Sequence, residues 1–201
     1  MKKLVLVICL LLILPFNFFS QQNFWQQTNG PYGGTINSLA VNSNGDIFCG
    51  TYFSGIFRST DNGENWIKKN SGLTSFDILT IGINSNNFIF VGTKSGIFRS
   101  TDNGESWIDI SNGLSGTNFL TIDTNNKIFV GCNRKIFRST NNGDSWIDIS
   151  NGLTNLFGFK CLAVNSNGHI FAATLYDYTS HNEDVFRSTD GGESWVELTG
   201  L

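Results

Sequence analysis

From residue 36 onward, apolar positions come in runs of four to six, separated by clusters of Asn, Asp, Ser and Gly. No stretch keeps the 3.6-residue apolar period of a helix, so the pattern predicts short strands joined by tight turns. The strands fall into four sets. An inner strand, a, is predicted at 36–41, 78–83, 117–122 and 159–164. A turn rich in residues that tolerate positive φ follows, and then strand b at 47–51, 89–93, 128–132 and 170–174. Strand c carries Ile56-Phe57-Arg58, Ile97-Phe98-Arg99, Ile136-Phe137-Arg138 and Val185-Phe186-Arg187. Strand d is predicted to start at a tryptophan and to end at Gly72, Gly113, Gly152 or Gly200. On strand a, Leu39 and Val41 point one way and Ala40 the other; Gly82, Thr121 and Ala163 repeat that small residue, as expected of innermost strands crowded around a channel.

Between strands c and d stands one octet, written four times: Ser59-Thr-Asp61-Asn-Gly63-Glu-Asn-Trp66, then Ser100, Asp102, Gly104 and Trp107, then Ser139, Asn141, Gly143 and Trp146, then Ser188, Asp190, Gly192 and Trp195. Its centre is strong turn chemistry, its third residue can accept N–H bonds within the turn, and its tryptophan has a large ring to bury against the sheet. The tryptophans stand 41, 39 and 49 residues apart, close to the length of one four-stranded propeller blade. A unit this short cannot bury its apolar face alone, so neighbouring copies must share a core.

The octet pattern Ser-x-Asp-x-Gly-x-x-Trp resembles the Asp-box, or bacterial neuraminidase repeat, of β-propellers such as sialidases, sortilin-type receptors, xyloglucan-cleaving hydrolases and photosystem II assembly factor-like proteins. The resemblance spans nearly all of 25–201. It implies an all-β propeller of four-stranded antiparallel blades, and it implies that the octets are structural, because in those families the box lies away from the active site. Blade units are expected at about 35–74, 76–114, 117–153 and 158–201, within a propeller domain at 21–201. Residues 23–31 read as one more outer strand, since Trp25 and Gly30 are spaced like Trp195 and Gly200. Five outer strands against four a–b–c sets leave two readings open: the leading part of a larger ring, or a complete four-bladed ring with a stray leading strand.

Residues 1–20 stand apart. Lys2-Lys3 precede an uncharged apolar run from Leu4 to Leu14, too short for a membrane span and of the form of a secretory signal peptide. The expected location is outside the cell, periplasmic or on the cell surface. Setting Cys9 aside with that leader leaves Cys49, Cys132 and Cys161, an odd number, read as small buried side chains rather than a disulfide framework. Net charge is −3 with no basic stretch, which disfavours nucleic acid as a partner.

In a meander, the a–b and c–d turns share one end of the blades and the b–c and d–a connections share the other. The octets make the first end uniform, so recognition is expected at the second, which varies. Its candidates are Tyr52, Phe53, Arg134 and a long final b–c loop carrying Tyr176, Asp177, Tyr178 and His181; Tyr32, Phe76, Asp77, Phe157 and Lys160 lie on the d–a connections. Aromatic rings beside polar groups on a rigid scaffold suit a glycan or protein partner. No catalytic residue is assigned. The arginines are repeat positions apart from Arg134, and no two carboxylates are singled out as the pair a glycosidase needs. No cofactor is expected, and no metal site: His169 and His181 are isolated, the cysteines lack ligand spacing, and the octet does not have the spacing of a calcium loop. The function expected is an exported binding or scaffolding module; the alternative is the N-terminal part of a sialidase-like or other glycoside hydrolase whose catalytic residues lie partly outside this chain.

Overall fold

The computed structural model describes residues 29–153, 158–175 and 184–198. The described residues form sixteen strands in four antiparallel sheets, each in simple sequence order. The first sheet is β1 (Ile36–Val41), β2 (Ile47–Thr51), β3 (Gly55–Ser59) and β4 (Ile67–Lys68). The second is β5 (Ile78–Ile83), β6 (Ile89–Thr93), β7 (Ile97–Ser100) and β8 (Ile108–Asp109). The third is β9 (Thr117–Ile122), β10 (Ile128–Cys132), β11 (Lys135–Ser139) and β12 (Ile147–Asp148). The fourth is β13 (Phe159–Val164), β14 (Ile170–Thr174), β15 (Val185–Ser188) and β16 (Val196–Leu198). Strands a and b thus lie where the apolar runs place them. Strand d is shorter than expected: it begins one residue after each tryptophan and pairs for only two or three residues, because the octet turn consumes the tryptophan itself.

The core lies between sheets. Along β2 and β3 the registered pairs alternate faces: Phe48 opposite Arg58 and Gly50 opposite Ile56 on one, Cys49 opposite Phe57 on the other. Phe48, Ile56 and Leu73 of the first sheet pack on Ile78, Ile81, Ile89, Val91, Phe98 and Trp107 of the second. Phe90, Ile97 and Ile110 then meet Ile128 and Val130 of the third, and Phe129, Ile136 and Ile149 meet Phe159, Ile170, Ala172 and Phe186 of the fourth. Each interface is one repeat's forward face pressed on the next repeat's backward face, as blades pack in a propeller.

This arrangement corrects the role of the small residue on strand a. Ala40 packs against the first interface cluster, and a Cβ on Gly82 would lie 2.2 Å from Leu120 of the next blade. These residues make room for a neighbouring blade's aliphatic side chains rather than for a channel. Two further expectations change. Trp107 is buried at 4% exposure, but Trp66, Trp146 and Trp195 are half-buried. Cys49 and Cys132 are buried, and burial pushes both thiols up to about 11, whereas Cys161 on β13 is exposed; all three are free.

Candidate functional site

The two ends of the blades differ in how they are built. At the first end, all four octets close in the same way. Ser59 donates its hydroxyl to Asp61 Oδ1 (2.8 Å) and accepts the Gly63 N–H (2.8 Å), while Asp61 Oδ1 also accepts the Asn65 N–H (2.9 Å). The same three bonds recur at Ser100–Asp102–Gly104–Ser106, Ser139–Asn141–Gly143–Ser145 and Ser188–Asp190–Gly192–Ser194, at 2.7–3.0 Å. The fourth and fifth octet residues, Asn62 and Gly63 in the first copy, both take left-handed φ (59° and 90°), which explains Asn-Gly or Gly-Gly there. Hydrogen bonds from the Asn65 backbone and side chain, with Ser59, hold the Asp61 carboxyl below the ordinary range. At Asp102 desolvation opposes ionisation, but bonds from Ser106 and Ser100 outweigh it and hold the group at about 2. Hydrogen bonds from Ser194, side chain then backbone, push Asp190 down in the same way.

The octets also tie blades together. Three of the four octet tryptophans reach backward: Trp107 Nε1 donates to Lys69 O (2.8 Å), Trp146 Nε1 to Ile110 O (2.8 Å) and Trp195 Nε1 to Ile149 O (2.7 Å), whereas Trp66 Nε1 donates to Gly63 O (3.0 Å) in its own octet. Three strand-c arginines reach forward: Arg58 Nη1 donates to Asn103 O, Arg99 Nη1 to Asn142 O and Arg138 Nη1 to Gly191 O, each at 2.6 Å. The same guanidinium groups pair with the acidic residue at octet position six, Glu105 (3.0 Å), Asp144 (2.8 Å) and Glu193 (3.3 Å). The a–b turns join this network, with Asn42 Nδ2 on Asn103 Oδ1 (3.0 Å) and Asn103 Nδ2 on Asp46 Oδ2 (2.7 Å). Much of the polar chemistry of this end is engaged in closing the turns and holding neighbouring blades in place.

The second end is free to differ. Tyr52 and Phe53 follow β2 with ring centroids 4.0 Å apart and edge-on to one another. Phe53 is 69% exposed and held at φ 78°, a left-handed conformation costly for a bulky residue. Its N–H donates to Asp77 Oδ1 (3.2 Å), and Asp77 Oδ2 in turn pairs with Lys94 Nζ (3.2 Å). Lys94 lies over the Tyr52 ring, 4.3 Å from its centroid, and donates to the Tyr52 hydroxyl. That bond, then the Asp77 bond, raises the Lys94 pKa. Ser54 donates to Gly33 O, which places 84%-exposed Tyr32 on a neighbouring connection, and exposed Phe76 precedes Asp77. Sequence reasoning placed Asp77 on a connection of this end but did not join it or Lys94 to the aromatic pair. The grouping becomes visible only where the b–c loops of the first two blades meet the d–a connection between them.

Arg134 belongs to a separate place. Asn133 and Arg134 both have left-handed φ (49° and 64°) and line an open cleft of about 640 Å³ with Lys135, Asp148, Ser150, Asn151 and Leu153. Lys135 Nζ pairs with Asp148 Oδ2 at 2.6 Å, which raises the lysine pKa; burial works against Asp148, yet Lys135 and Ser150 lower it. Among the described residues no contact joins Arg134 to Tyr52 or Phe53. Tyr176, Asp177, Tyr178 and His181 lie outside the described residues, as does Phe157; their loop departs from Leu175 and returns at Asp184, whose backbone oxygen accepts the Thr174 N–H (3.0 Å). Among the described residues no three His, Cys, Asp or Glu side chains gather as metal ligands, and no helix is long and apolar enough to cross a membrane.

Four radially packed, four-stranded antiparallel sheets joined by a uniform turn end and a variable loop end define a β-propeller of four blades. Neither a protein-family model nor a curated protein sequence matches the chain. Among solved structures it is similar to the GH74 xyloglucanase from Xanthomonas campestris, with a TM-score of 0.70 at 20% identity over 82% of this chain and 30% of that one. It is also similar to YCF48 from Cyanidioschyzon merolae (TM-score 0.65, 16% identity, 86% of this chain and 58% of that one) and to a chain of the nidogen/laminin complex (0.64, 15%, 84% and 66%). The chain thus spans about a third of the xyloglucanase, and the likeness at these identities is one of fold.

Proposed function

We propose that this chain is an exported Asp-box propeller that acts as a non-catalytic binding module, presenting its b–c and d–a connections to a glycan or an extracellular protein. The observation that carries the reading is the Tyr52–Phe53 pair. Two aromatic rings are kept rigid by Asp77 and Lys94, one of them at a backbone conformation that costs about 1–3 kcal/mol, and both stand where the repeat has no structural need of them. Strain of that kind persists where the surroundings hold a side chain for a purpose. Exposed rings flanked by a carboxylate and an ammonium suit the apolar face and hydroxyls of a sugar, or an aromatic or charged peptide. The apolar leader at 1–20 supports export, and Arg134 and the loop with Tyr176, Asp177, Tyr178 and His181 extend the same end.

Xyloglucan, laminin and a D1 peptide figure in the descriptions of the similar propellers, and a glycan or protein partner accords with that range. The reading of a partial glycoside hydrolase finds less support. Such an enzyme needs two carboxyl groups about 5–9.5 Å apart, and the carboxylates described near the two patches, Asp77 and Asp148, are each committed to a lysine. The test is retention on glycan and peptide arrays. Tyr52→Ala and Phe53→Ala should each lower retention with the melting temperature kept, and Tyr176→Ala with Tyr178→Ala should do the same if the long loop takes part. Unaltered retention in the Tyr52 and Phe53 variants dismisses the site.

A further inference from the structure

The third blade departs from the repeat at its b–c connection, and the departures converge on one cleft. In the other blades, Thr51, Thr93 and Thr174 end strand b and donate their hydroxyls across the connection to Gly55 O, Gly96 O and Asp184 O; the third blade has Cys132 there. The first two blades have Gly55 and Gly96 at the start of strand c, where a Cβ would run into Asn70 or Ser111; the third has Lys135. Between Cys132 and Lys135, which are registered opposite one another, Asn133 and Arg134 form a two-residue turn with both φ left-handed. Glycine or asparagine is the ordinary choice at such positions, so an arginine at the second one strains the turn. The second blade's Lys94-Ser95 connection is as short and has neither residue left-handed. Nothing described in the fold offsets that strain. Arg134 has no ion pair among the described residues, and its stem lies along Gly158, where a Cβ would be 3.4 Å from Arg134 Cγ.

We infer that the cleft beside this turn binds a carboxylate, that of a hexuronate residue in an acidic glycan. Among its lining side chains Arg134 and Lys135 are cationic and Asp148 alone is anionic. Lys135 holds Asp148 at 2.6 Å, which leaves the Arg134 charge over, on a planar fork of donors that matches a carboxylate two bonds at a time. The backbone around the cleft is already engaged. Leu153 N–H donates to Ser150 O (3.0 Å), Ser150 N–H to Asp148 Oδ1 (2.9 Å) and Ile136 N–H to Ser150 Oγ (2.9 Å). An extended peptide docks through main-chain bonds of that kind. What the cleft keeps on offer is the exposed amide of Asn151 and the side chain of Leu153, which suit the hydroxyls and the C–H face of a sugar ring. Its volume of about 640 Å³ is that of a ligand site. The cleft lies apart from Tyr52 and Phe53, so carboxylate binding there stands whether or not the aromatic pair takes a ligand.

Affinity electrophoresis of the full chain through gels containing polygalacturonate tests this. The chain's net charge of −3 repels a polyanion at long range, so retardation reports local binding. Polygalacturonate should retard the parent chain. Its methyl-esterified form, the same polymer without free carboxylates, should bind at least about tenfold more weakly. Arg134→Gly should lose binding by a similar factor yet melt no lower than the parent, because glycine relieves the left-handed turn. Phe53→Ala should bind polygalacturonate as the parent does, which separates this result from that of the aromatic pair. A parent chain that polygalacturonate does not retard overturns the inference. So does equal retardation by the esterified polymer, or an Arg134→Gly chain that binds unchanged or melts well below the parent. Tighter, Arg134-dependent binding of polyglutamate overturns it too, since the ligand would then be an acidic peptide.

Discussion

Trp107 shows how much a repeated residue can depend on its place. Its indole is buried among Phe48, Ile56 and Leu73 of the preceding blade and donates to Lys69 O, while Trp66 has no described blade behind it and turns its donor inward. Trp107→Ala should therefore cost about 3–5 kcal/mol by urea denaturation, and Trp66→Ala distinctly less; equal losses would mean that the ring's own turn, not the neighbouring blade, sets its worth. The octet carboxylates predict a pH dependence. The Asp102 pKa falls from an ordinary 3.8 to about 2 on folding, so the unfolded chain binds the proton more readily between those values. The stabilisation is whole above about pH 4 and is lost as pH drops toward 2. The melting temperature should fall across that window, and Asp102→Asn should flatten the fall, as the natural Asn141 does for its own turn. At the other end, Phe53→Gly relieves the left-handed backbone at some cost in chain entropy. It should leave stability within about 1 kcal/mol of the parent while abolishing any retention that the ring provides.

At the scale of elements, strand positions were legible because a half-buried sheet writes its apolar residues in short runs and its turns in Asn, Gly and Ser. The extent of strand d was not, because only Ile67-Lys68, Ile108-Asp109 and Ile147-Asp148 pair before the chain leaves the sheet, a matter of turn geometry rather than of composition. The strand-c arginines were equally opaque. Arg58, Arg99 and Arg138 repeat with the octets, but their partners sit in the following blade, 43–53 residues on. Removing that clamp by Arg99→Met should cost about 1–2 kcal/mol, since the Nη1 bonds to the partly buried turn are lost while the buried, unpartnered Nε goes with them. Asp144→Asn, which removes only the exposed partner, should cost no more than about 1 kcal/mol. Chemical denaturation of the two variants side by side checks the difference.

At the scale of the molecule, the network that holds the blades and the proposed recognition surface occupy opposite ends of the blades. The octet end commits its polar groups largely to its own turns and to neighbouring blades, and the loop end exposes Tyr32, Phe53 and Phe76 beside half-buried Tyr52 and the Asp77–Lys94 pair. Melting the chain with Lys94→Gln should reveal little change, because a half-exposed ion pair contributes little to stability. Array retention should fall more than stability does, since the lysine positions both the ring of Tyr52 and the carboxylate that holds Phe53. A variant that loses stability and retention in proportion would make the cluster a structural brace instead.

The amino-acid sequence by itself determined the repeat, the strand order within each blade and the chemistry of the turns. Those depend on residues close together in the chain, and four copies state them redundantly. Tertiary structure alone decided which face of each strand meets which neighbour. It therefore decided that Ala40 and Gly82 serve an interface, and that Tyr52 and Phe53 join Asp77 and Lys94 while Arg134 stands apart. Those outcomes depend on contacts between residues a whole repeat apart, and near-identical copies give a periodic sequence no means to distinguish an inner blade from an outer one.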